Sequence, residues 1–235
     1  MILLSLWQMD WFIATLGLAG VAASVQRRSW SLFGATAVAM LALASPIGVL
    51  ARGYLFSAHM LQHILLVLIV PQVLMSGLRP LRLPAIPIGV AWLLGVGAMW
   101  FWHAPTLCDA ASRSLMVQRF QTLSLIAMGC AFWSPVIRER LSPFGAIAYL
   151  FAGCVACTVL GIWVTFSPVE VCSVYAHPVD ALGILPLLRD GWGLSAKADQ
   201  QIGGLLMWVP GCLVYAGSIL VTYGRYVGGE LGEAR

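Results

Sequence analysis

The feature that most constrains this chain is its scarcity of charged residues. Only 9% of its 235 residues are Asp, Glu, Lys or Arg, whereas 60% are hydrophobic. Soluble domains carry about 25% charged residues, so this chain lacks the polar groups that a water-exposed surface needs. The composition therefore excludes a soluble globular domain and a disordered chain, and it indicates a polytopic membrane protein.

Apolar segments fill most of the sequence, and a spanning helix needs about 20 apolar residues. Charged residues, Pro and Gly mark the ends of seven such segments, which predict an all-α bundle of about seven transmembrane helices in a single domain, 1–235. Pro71 is expected to kink the third span. The longest connection, 167–200, shows no clear helix. The predicted spans are 9–25, 31–50, 55–78, 86–102, 115–137, 143–166 and 201–223.

The basic residues predict how these spans are oriented. One side of the membrane collects Arg27, Arg28, Arg79, Arg82, Arg138, Arg140, Arg225 and Arg235. The other side collects Arg52, Arg113, Arg119, Arg189 and Lys197. Because basic residues are more frequent in cytoplasmic connections, the first side is expected to be cytoplasmic. This predicts an outside N-terminus and a cytoplasmic C-terminus in a bacterial inner membrane. The net charge of +4 is scattered, which argues for the lipid bilayer and against nucleic acid as a partner.

All four histidines fall at the predicted outer end. His59 and His63 are four residues apart, so their imidazoles lie on one helix face, and His103 in the adjoining segment is the candidate third ligand. Imidazole suits copper and zinc, and the Met60 thioether favours Cu(I). The alternative is that the histidines lie at headgroup level, bonded to carbonyls and water. Haem is not favoured, because two histidines on one helix face cannot supply opposite axial ligands.

Three other polar features are also candidates for a structural or functional role. Cys108 and Cys172 lie in outer loops, where an oxidising periplasm favours a disulfide between them. Cys154 and Cys157 resemble a CxxC motif but lie inside a span, where small packing residues are the simpler interpretation. Asp199 precedes the last span, where it either caps that helix or orients a histidine ligand.

Four segments together resemble the multi-span CtaG family of cytochrome c oxidase assembly proteins. They are Ser57-Ala58-His59-Met60-Leu61-Gln62-His63 running on to Pro71, Trp102-His103-Ala104-Pro105 followed by Asp109-Ala110-Ala111, Phe132-Trp133-Ser134-Pro135, and the stretch from Asp199 to Gly211. The resemblance implies a seven-helix inner-membrane protein that assists assembly of a haem-copper terminal oxidase through copper supply. By position it assigns the polar site to His59, His63, His103 and Asp199.

The sequence departs from the family pattern in two places. The family usually has a histidine early in the fifth span, where this chain reads Gln118-Arg119-Phe120-Gln121-Thr122. If that histidine completes a metal site, the site in this chain is incomplete or weaker. Cys108 and Cys172 stand where family members often have tyrosine, and a paired replacement suits a disulfide.

Two hypotheses on function follow. The first is a non-enzymatic assembly factor that delivers copper to subunits of a terminal oxidase at the periplasmic face. The second is a permanent, metal-free accessory subunit of a respiratory oxidase complex. An intramembrane enzyme is not expected, because the sequence has no HExxH or GxSxG motif and no paired carboxylates within the spans.

Overall fold

The computed structural model of the chain describes residues 6–79, 81 and 84–233, with side chains up to residue 228. This part of the chain forms helices joined by short loops and contains no β-strand, which confirms the all-helical class. The helices are α1 (Trp11–Arg27), α2 (Trp30–Ala44), α3 (Pro46–Leu50), α4 (Phe56–Ile64), α5 (Val70–Gly77), α6 (Ile88–Trp102), α7 (Pro105–Arg113), α8 (Leu115–Ile137), α9 (Pro143–Phe166), α10 (Ser173–Ala176) and α11 (Ala196–Glu233). Two π-helical segments, Leu65–Ile69 and Leu187–Gly191, complete the order.

Several of these helices are long and apolar enough to cross a membrane. Four qualify in the described chain, namely Phe56–Gly77, Leu115–Ile137, Pro143–Phe166 and Ala196–Gly228. A fifth is formed if α6 and α7, which meet at a bend of 75°, count as one broken span, and α2 is a shorter apolar helix. The helix α1 is not among them. The chain is therefore a membrane protein by helix length and composition, and the seven-span count stays a prediction.

The sequence located some helix ends better than others. The bounds predicted for the fifth and sixth spans coincide with α8 and α9. The last predicted span, 201–223, was too short, because α11 begins at Ala196 and runs on to Glu233. Polar residues near its start, which suggested a loop, lie inside the helix and bond to other elements. The sequence showed no clear helix in the connection 167–200, but this connection contains α10 and a π-helical segment.

The segment Phe56–Gly77, here called the central span, packs against α2, α8 and α11. Its π-helical part lies directly before Pro71, which has no N–H to donate to the carbonyl of Val67. A π-helical segment thus stands where the sequence predicted a kink at Pro71. Gly129 of α8 packs against this place so closely that a Cβ there would lie 2.6 Å from both the Val67 oxygen and Pro71 Cγ.

An acid-base cluster joins three elements at the end of the bundle where the central span begins. Asp10 caps α1 by accepting a hydrogen bond from the Ile13 N–H at 2.9 Å. Its carboxylate also lies 3.1 Å from the Arg119 guanidinium of α8 and 4.0 Å from that of Arg52. Partial burial acts to raise the pKa of Asp10, but the hydrogen bond from Ile13 and the two guanidinium groups outweigh it, so the pKa is lowered. The carboxylate is therefore ionised at neutral pH and ties α1 to α8.

The close packing at Gly129 predicts that Gly129→Ala destabilises the bundle. The added methyl group would meet a backbone oxygen inside a packed helix pair, where we expect a loss of about 1–3 kcal/mol. Gly97→Ala is the matched control, because a Cβ there has no neighbour within 4 Å. Thermal unfolding in detergent should show a lower midpoint for Gly129→Ala alone, and equal midpoints for the two variants would contradict the packing described.

Candidate metal site

Three histidines from two elements meet inside the bundle. His59 and His63 lie one turn apart on α4, with ring centroids 4.2 Å apart. His103 follows the last residue of α6, and its ring centroid lies 5.4 Å from that of His63. Ala104 takes up an extended conformation before Pro105, which ends α6 and turns the chain into α7. The Pro105 bend therefore holds His103 against α4.

His103 is held on both sides of its ring. Its Nδ1 lies 2.5 Å from the Met99 carbonyl oxygen, one turn earlier in α6. A carbonyl can only accept, so Nδ1 carries the proton and Nε2 has a free lone pair in the neutral ring. Nε2 faces the Met60 sulfur at 3.0 Å. Met60 thus presents a thioether to the histidine group, and these four residues, His59, Met60, His63 and His103, are called the histidine site below.

The residues of the histidine site are almost completely buried. His59, His63 and His103 are 3%, 1% and 2% exposed, and Met60 is completely buried. His103 bonds to a carbonyl, as the headgroup interpretation expects, but burial of this degree does not suit rings that are solvated at headgroup level.

The rings of His59 and His63 have unused hydrogen-bonding capacity. None of their four nitrogen atoms has a hydrogen-bond partner among the described residues. The Ala51 carbonyl and the Gln121 amide lie nearby, but neither meets hydrogen-bond geometry. Buried polar groups are almost always paired, and exceptions point to an unseen water or ion or to a functional role. Four unpaired nitrogens on two adjacent rings are such an exception, and they make this the candidate site of the chain.

Tyr175 covers the histidine site from the long connection after α9. Its ring centroid lies 5.4 Å from that of His59 and 5.6 Å from that of Phe56. The hydroxyl donates to the Ala51 carbonyl at 2.6 Å and accepts from Ser112 at 3.1 Å. Burial raises the pKa of Tyr175, so the phenol stays protonated. Sequence reasoning missed this residue, because nothing in the connection 167–200 shows that it folds back over α4.

Gln121 of α8 lies beside His63 and is 2% exposed. It belongs to the stretch 118–122, where this chain lacks the histidine expected from the family pattern. Its Nε2 has no hydrogen-bond partner among the described residues. An amide side chain, not an imidazole, thus reaches the site from α8.

Asp199, the predicted supporting residue, contacts the backbone of α4 and not a histidine. Its carboxylate accepts hydrogen bonds from the Phe56 N–H at 2.7 Å, the Ser57 N–H at 3.1 Å and the Ser57 hydroxyl at 2.5 Å. The first residues of a helix have unpaired N–H groups, and Leu55, which precedes α4, provides no side-chain cap. Asp199 therefore caps α4, the helix that carries the histidines. Both interpretations from the sequence, a cap for its own helix and a partner for a histidine, differ from these contacts.

The second predicted pair, Cys108 and Cys172, is joined by a disulfide with Cα atoms 5.8 Å apart. Next to it, Asp109 accepts hydrogen bonds from the Ser173 hydroxyl at 2.7 Å and the Val174 N–H at 3.2 Å. These contacts fasten α10, and with it Tyr175, to α7. The sequence motif containing Asp109 gave no indication of this positioning role.

The other polar candidates lie away from the histidine site. The His177 side chain is 81% exposed and lies 3.8 Å from Glu170. Cys154 and Cys212 face each other between α9 and α11, with sulfur atoms 2.8 Å apart, and Cys157 lies beside Tyr215. In the described part of the chain, no three His, Cys, Asp or Glu side chains stand in an arrangement that by itself could hold a metal ion.

Comparison with known protein families shows to which family the chain belongs. Residues 11–89 and 78–227 match the family described as cytochrome c oxidase caa3 assembly factor (Caa3_CtaG). The chain belongs to this family. No curated protein and no solved structure matches it significantly. The match to the Caa3_CtaG family confirms the resemblance seen in the sequence and connects the chain with the assembly of cytochrome c oxidase.

The capping contacts predict that Asp199→Ala destabilises this Caa3_CtaG member strongly. The substitution leaves two backbone N–H groups and one hydroxyl without their acceptor, which we expect to cost about 2–4 kcal/mol. Ser57→Ala, the control, removes only one of the three donors and should cost about 1–2 kcal/mol. Denaturant or thermal unfolding in detergent would measure both, and an equal loss in the two variants would show that the backbone cap contributes nothing.

The disulfide predicts a specific pattern of thiol labelling. After denaturation without reductant, an alkylating reagent should label Cys130, Cys154, Cys157 and Cys212 but neither Cys108 nor Cys172, as read by peptide mass spectrometry. Reduction before labelling should expose all six. Cys108→Ser is the control, since it should make Cys172 reactive without reductant. Labelling of Cys108 and Cys172 in the unreduced wild-type protein would contradict the pairing.

Proposed function

We propose that this protein is an assembly factor that binds copper at the histidine site and delivers it to a cytochrome c oxidase. The observation that carries the proposal is the set of four unpaired nitrogen atoms on the buried rings of His59 and His63. Such atoms are the donors that a metal ion uses, and the family relationship connects the chain with an oxidase whose centres contain copper.

The chemistry of the residues fits copper as the cargo. His59, His63 and His103 provide imidazole nitrogens, and Met60 provides a thioether, which selects for Cu(I). The His103 Nε2 and the Met60 sulfur already face each other, so both donors are directed to one place. No acidic side chain belongs to this set, and neutral ligands leave the charge of the ion at +1 for Cu(I). Ligands that do not neutralise the charge of the ion hold it less tightly, which suits its release to a partner.

Asp199 and Gln121 act on this site as positioning residues in our proposal. Asp199 fixes the first turn of α4, and His59 follows that turn directly. Gln121 lies beside His63 from α8 without supplying an imidazole. The site thus has three imidazoles and not four, which favours a low-affinity site of the kind that transfer requires.

Two cavities give the histidine site routes for entry and exit. One of about 150 Å³ lies at the same end of the bundle and is lined by Phe56, Cys172, Tyr175, Lys197 and Gln200 among others. Two of its lining residues, Phe56 and Tyr175, also cover the site. A second pocket of about 300 Å³ between α6 and α9 is lined by His103 itself. Movement of Tyr175 would connect the first cavity with the imidazoles.

We further propose seven spans with the N-terminus outside and the histidine site at the periplasmic face of a bacterial inner membrane. Arg79, Arg138 and Arg140 bond to backbone carbonyls near one end of the central span. Arg52 and Arg119 meet Asp10 at the other end, where the histidines lie. The positive-inside rule makes the first end cytoplasmic. Two arginines used in that count, Arg82 and Arg235, lie outside the described residues.

The role proposed is non-enzymatic, and it is transient with respect to the oxidase. The family is defined by assembly of the oxidase, which favours a factor over a permanent accessory subunit. A permanent metal-free subunit would also have no need of unpaired imidazoles in its interior.

Copper binding is tested on the purified full-length protein with Cu(I) and a competing chelator under anaerobic conditions. We expect one Cu(I) per wild-type chain and a loss of at least about 100-fold in affinity for the double variant His59→Ala with His63→Ala, because replacing even indirect supports of a metal site costs 10–100-fold. His177→Ala is the matched control, because its exposed ring lies outside the site and its affinity should not change.

Two results would overturn the copper proposal. One is a wild-type protein that binds no Cu(I), and the other is a double variant that binds as tightly as the wild type. His63→Gln keeps a polar side chain of similar size, so this variant should fold like the wild type. It should also bind Cu(I) more weakly. Stoichiometric co-purification of a metal-free chain with the mature oxidase would instead support the subunit hypothesis.

A further inference from the structure

A large cavity lies at the end of the bundle opposite the histidine site. It has a volume of about 550 Å³ and is enclosed by the central span, α8 and α11. The cavity follows from the path of α11, which packs mainly along α4 and α9 and is joined to α5 by a hydrogen bond from the Gln72 amide to the Ser218 hydroxyl at 2.8 Å. A Cβ on Gly217 of α11 would meet nothing within 4 Å, which shows how open this place is.

The cavity changes from apolar to basic along its length. Ile69, Leu213 and Val214 line its inner part, and Arg79 and Arg225 line its outer part. The twelve-residue step from Leu213 to Arg225 corresponds to about 18 Å along α11. The cavity thus has the dimensions and the polarity gradient of an amphipathic molecule with a negative head.

The charge at the basic end is not balanced within the described protein. Arg79 forms an ion pair with Glu139 and donates to the Ile137 carbonyl at 2.8 Å. Arg225 has no ion pair with any described residue. Glu139 does not line the cavity. Two guanidinium groups therefore face one carboxylate, and the excess positive charge favours an anion.

The polarity of the cavity favours a lipid over a helix of another protein. Its lining is apolar at Ile69 and Leu213 and basic at Arg79 and Arg225. An acyl chain joined to an anionic headgroup has the same arrangement of apolar and charged parts.

We propose that this cavity binds one anionic phospholipid. Arg79 and Arg225 hold the phosphate, and an acyl chain lies along Ile69 and Leu213. Basic pockets between transmembrane helices hold lipid headgroups in this way. The site is separate from the histidine site and does not depend on copper binding.

The test uses the full-length protein reconstituted in vesicles of equal parts phosphatidylglycerol and phosphatidylcholine, then extracted in mild detergent and examined by native mass spectrometry. We expect one retained phosphatidylglycerol per chain and little phosphatidylcholine. The double variant Arg79→Gln with Arg225→Gln should retain roughly tenfold less phosphatidylglycerol. Arg27→Gln with Arg28→Gln removes the same number of charges from residues that do not line the cavity, and it should retain lipid as the wild type does.

A steric variant separates loss of the site from loss of the fold. Gly217→Leu projects a side chain into the open cavity, so it should abolish lipid retention while the thermal unfolding midpoint is kept. Equal retention of the two lipids, full retention in Gly217→Leu, or an equal loss in both arginine double variants would overturn the proposal.

Two further results would assign the cavity to other occupants. Displacement of phosphatidylglycerol by inorganic phosphate alone would show a simple anion site without a place for acyl chains. Absence of retained lipid, together with cross-linking of Ser218→Cys to an oxidase subunit, would assign the cavity to a protein partner. Either result overturns the lipid proposal.

Discussion

The architecture of the histidine site depends on one buried carboxylate. Asp199 in the first turn of α11 accepts the backbone N–H groups of Phe56 and Ser57, so it joins the last long helix to the start of the central span. Leu55, the residue before α4, forms no side-chain cap, and a buried helix end without partners is costly. The contact also requires Gly203 one turn later, because a Cβ there would lie 2.5 Å from the Phe56 ring. The cap and the glycine together bring the two helices close enough to set His59 and His63 in place.

The sequence predicted best those features that depend on local pattern. The helices α8 and α9 have polar or Pro-Gly boundaries on both sides, and their ends were predicted to the residue. The start of α11 was missed, because Asp199 and Gln200 read as loop residues when their partners are unknown. Gln200 in fact accepts from the Val171 N–H at 3.0 Å and is 7% exposed. Polar residues at a helix start look like a boundary unless one knows that they are buried against another segment.

The candidate site was predicted only in part, for the same physical reason. The spacing of His59 and His63 is local, so the sequence predicted their shared face. The approach of His103 to Met60 joins residues 43 positions apart, and it depends on the 75° bend at Ala104 and Pro105. Tyr175 reaches the site because Asp109 and the disulfide hold α10 on α7. Contacts of this kind follow from packing, which no periodic pattern in a single sequence records.

The two ends of the central span satisfy their polar groups in different ways. At the histidine end the protein provides partners for the helix N–H groups through Asp199 and for the Tyr175 hydroxyl through Ala51 and Ser112. The imidazoles of His59 and His63 remain unpaired among the described residues, together with the Gln121 Nε2 and the Arg119 Nε. At the other end Arg79, Arg138 and Arg140 pair with backbone carbonyls, and Arg225 has no ion pair with a described residue. A chain with only 9% charged residues has few polar groups, so the unpaired ones at these two places are the candidates for ligand contacts. Neutral nitrogens in a closed interior suit a soft cation, and an unbalanced guanidinium beside an apolar cavity suits an anionic lipid.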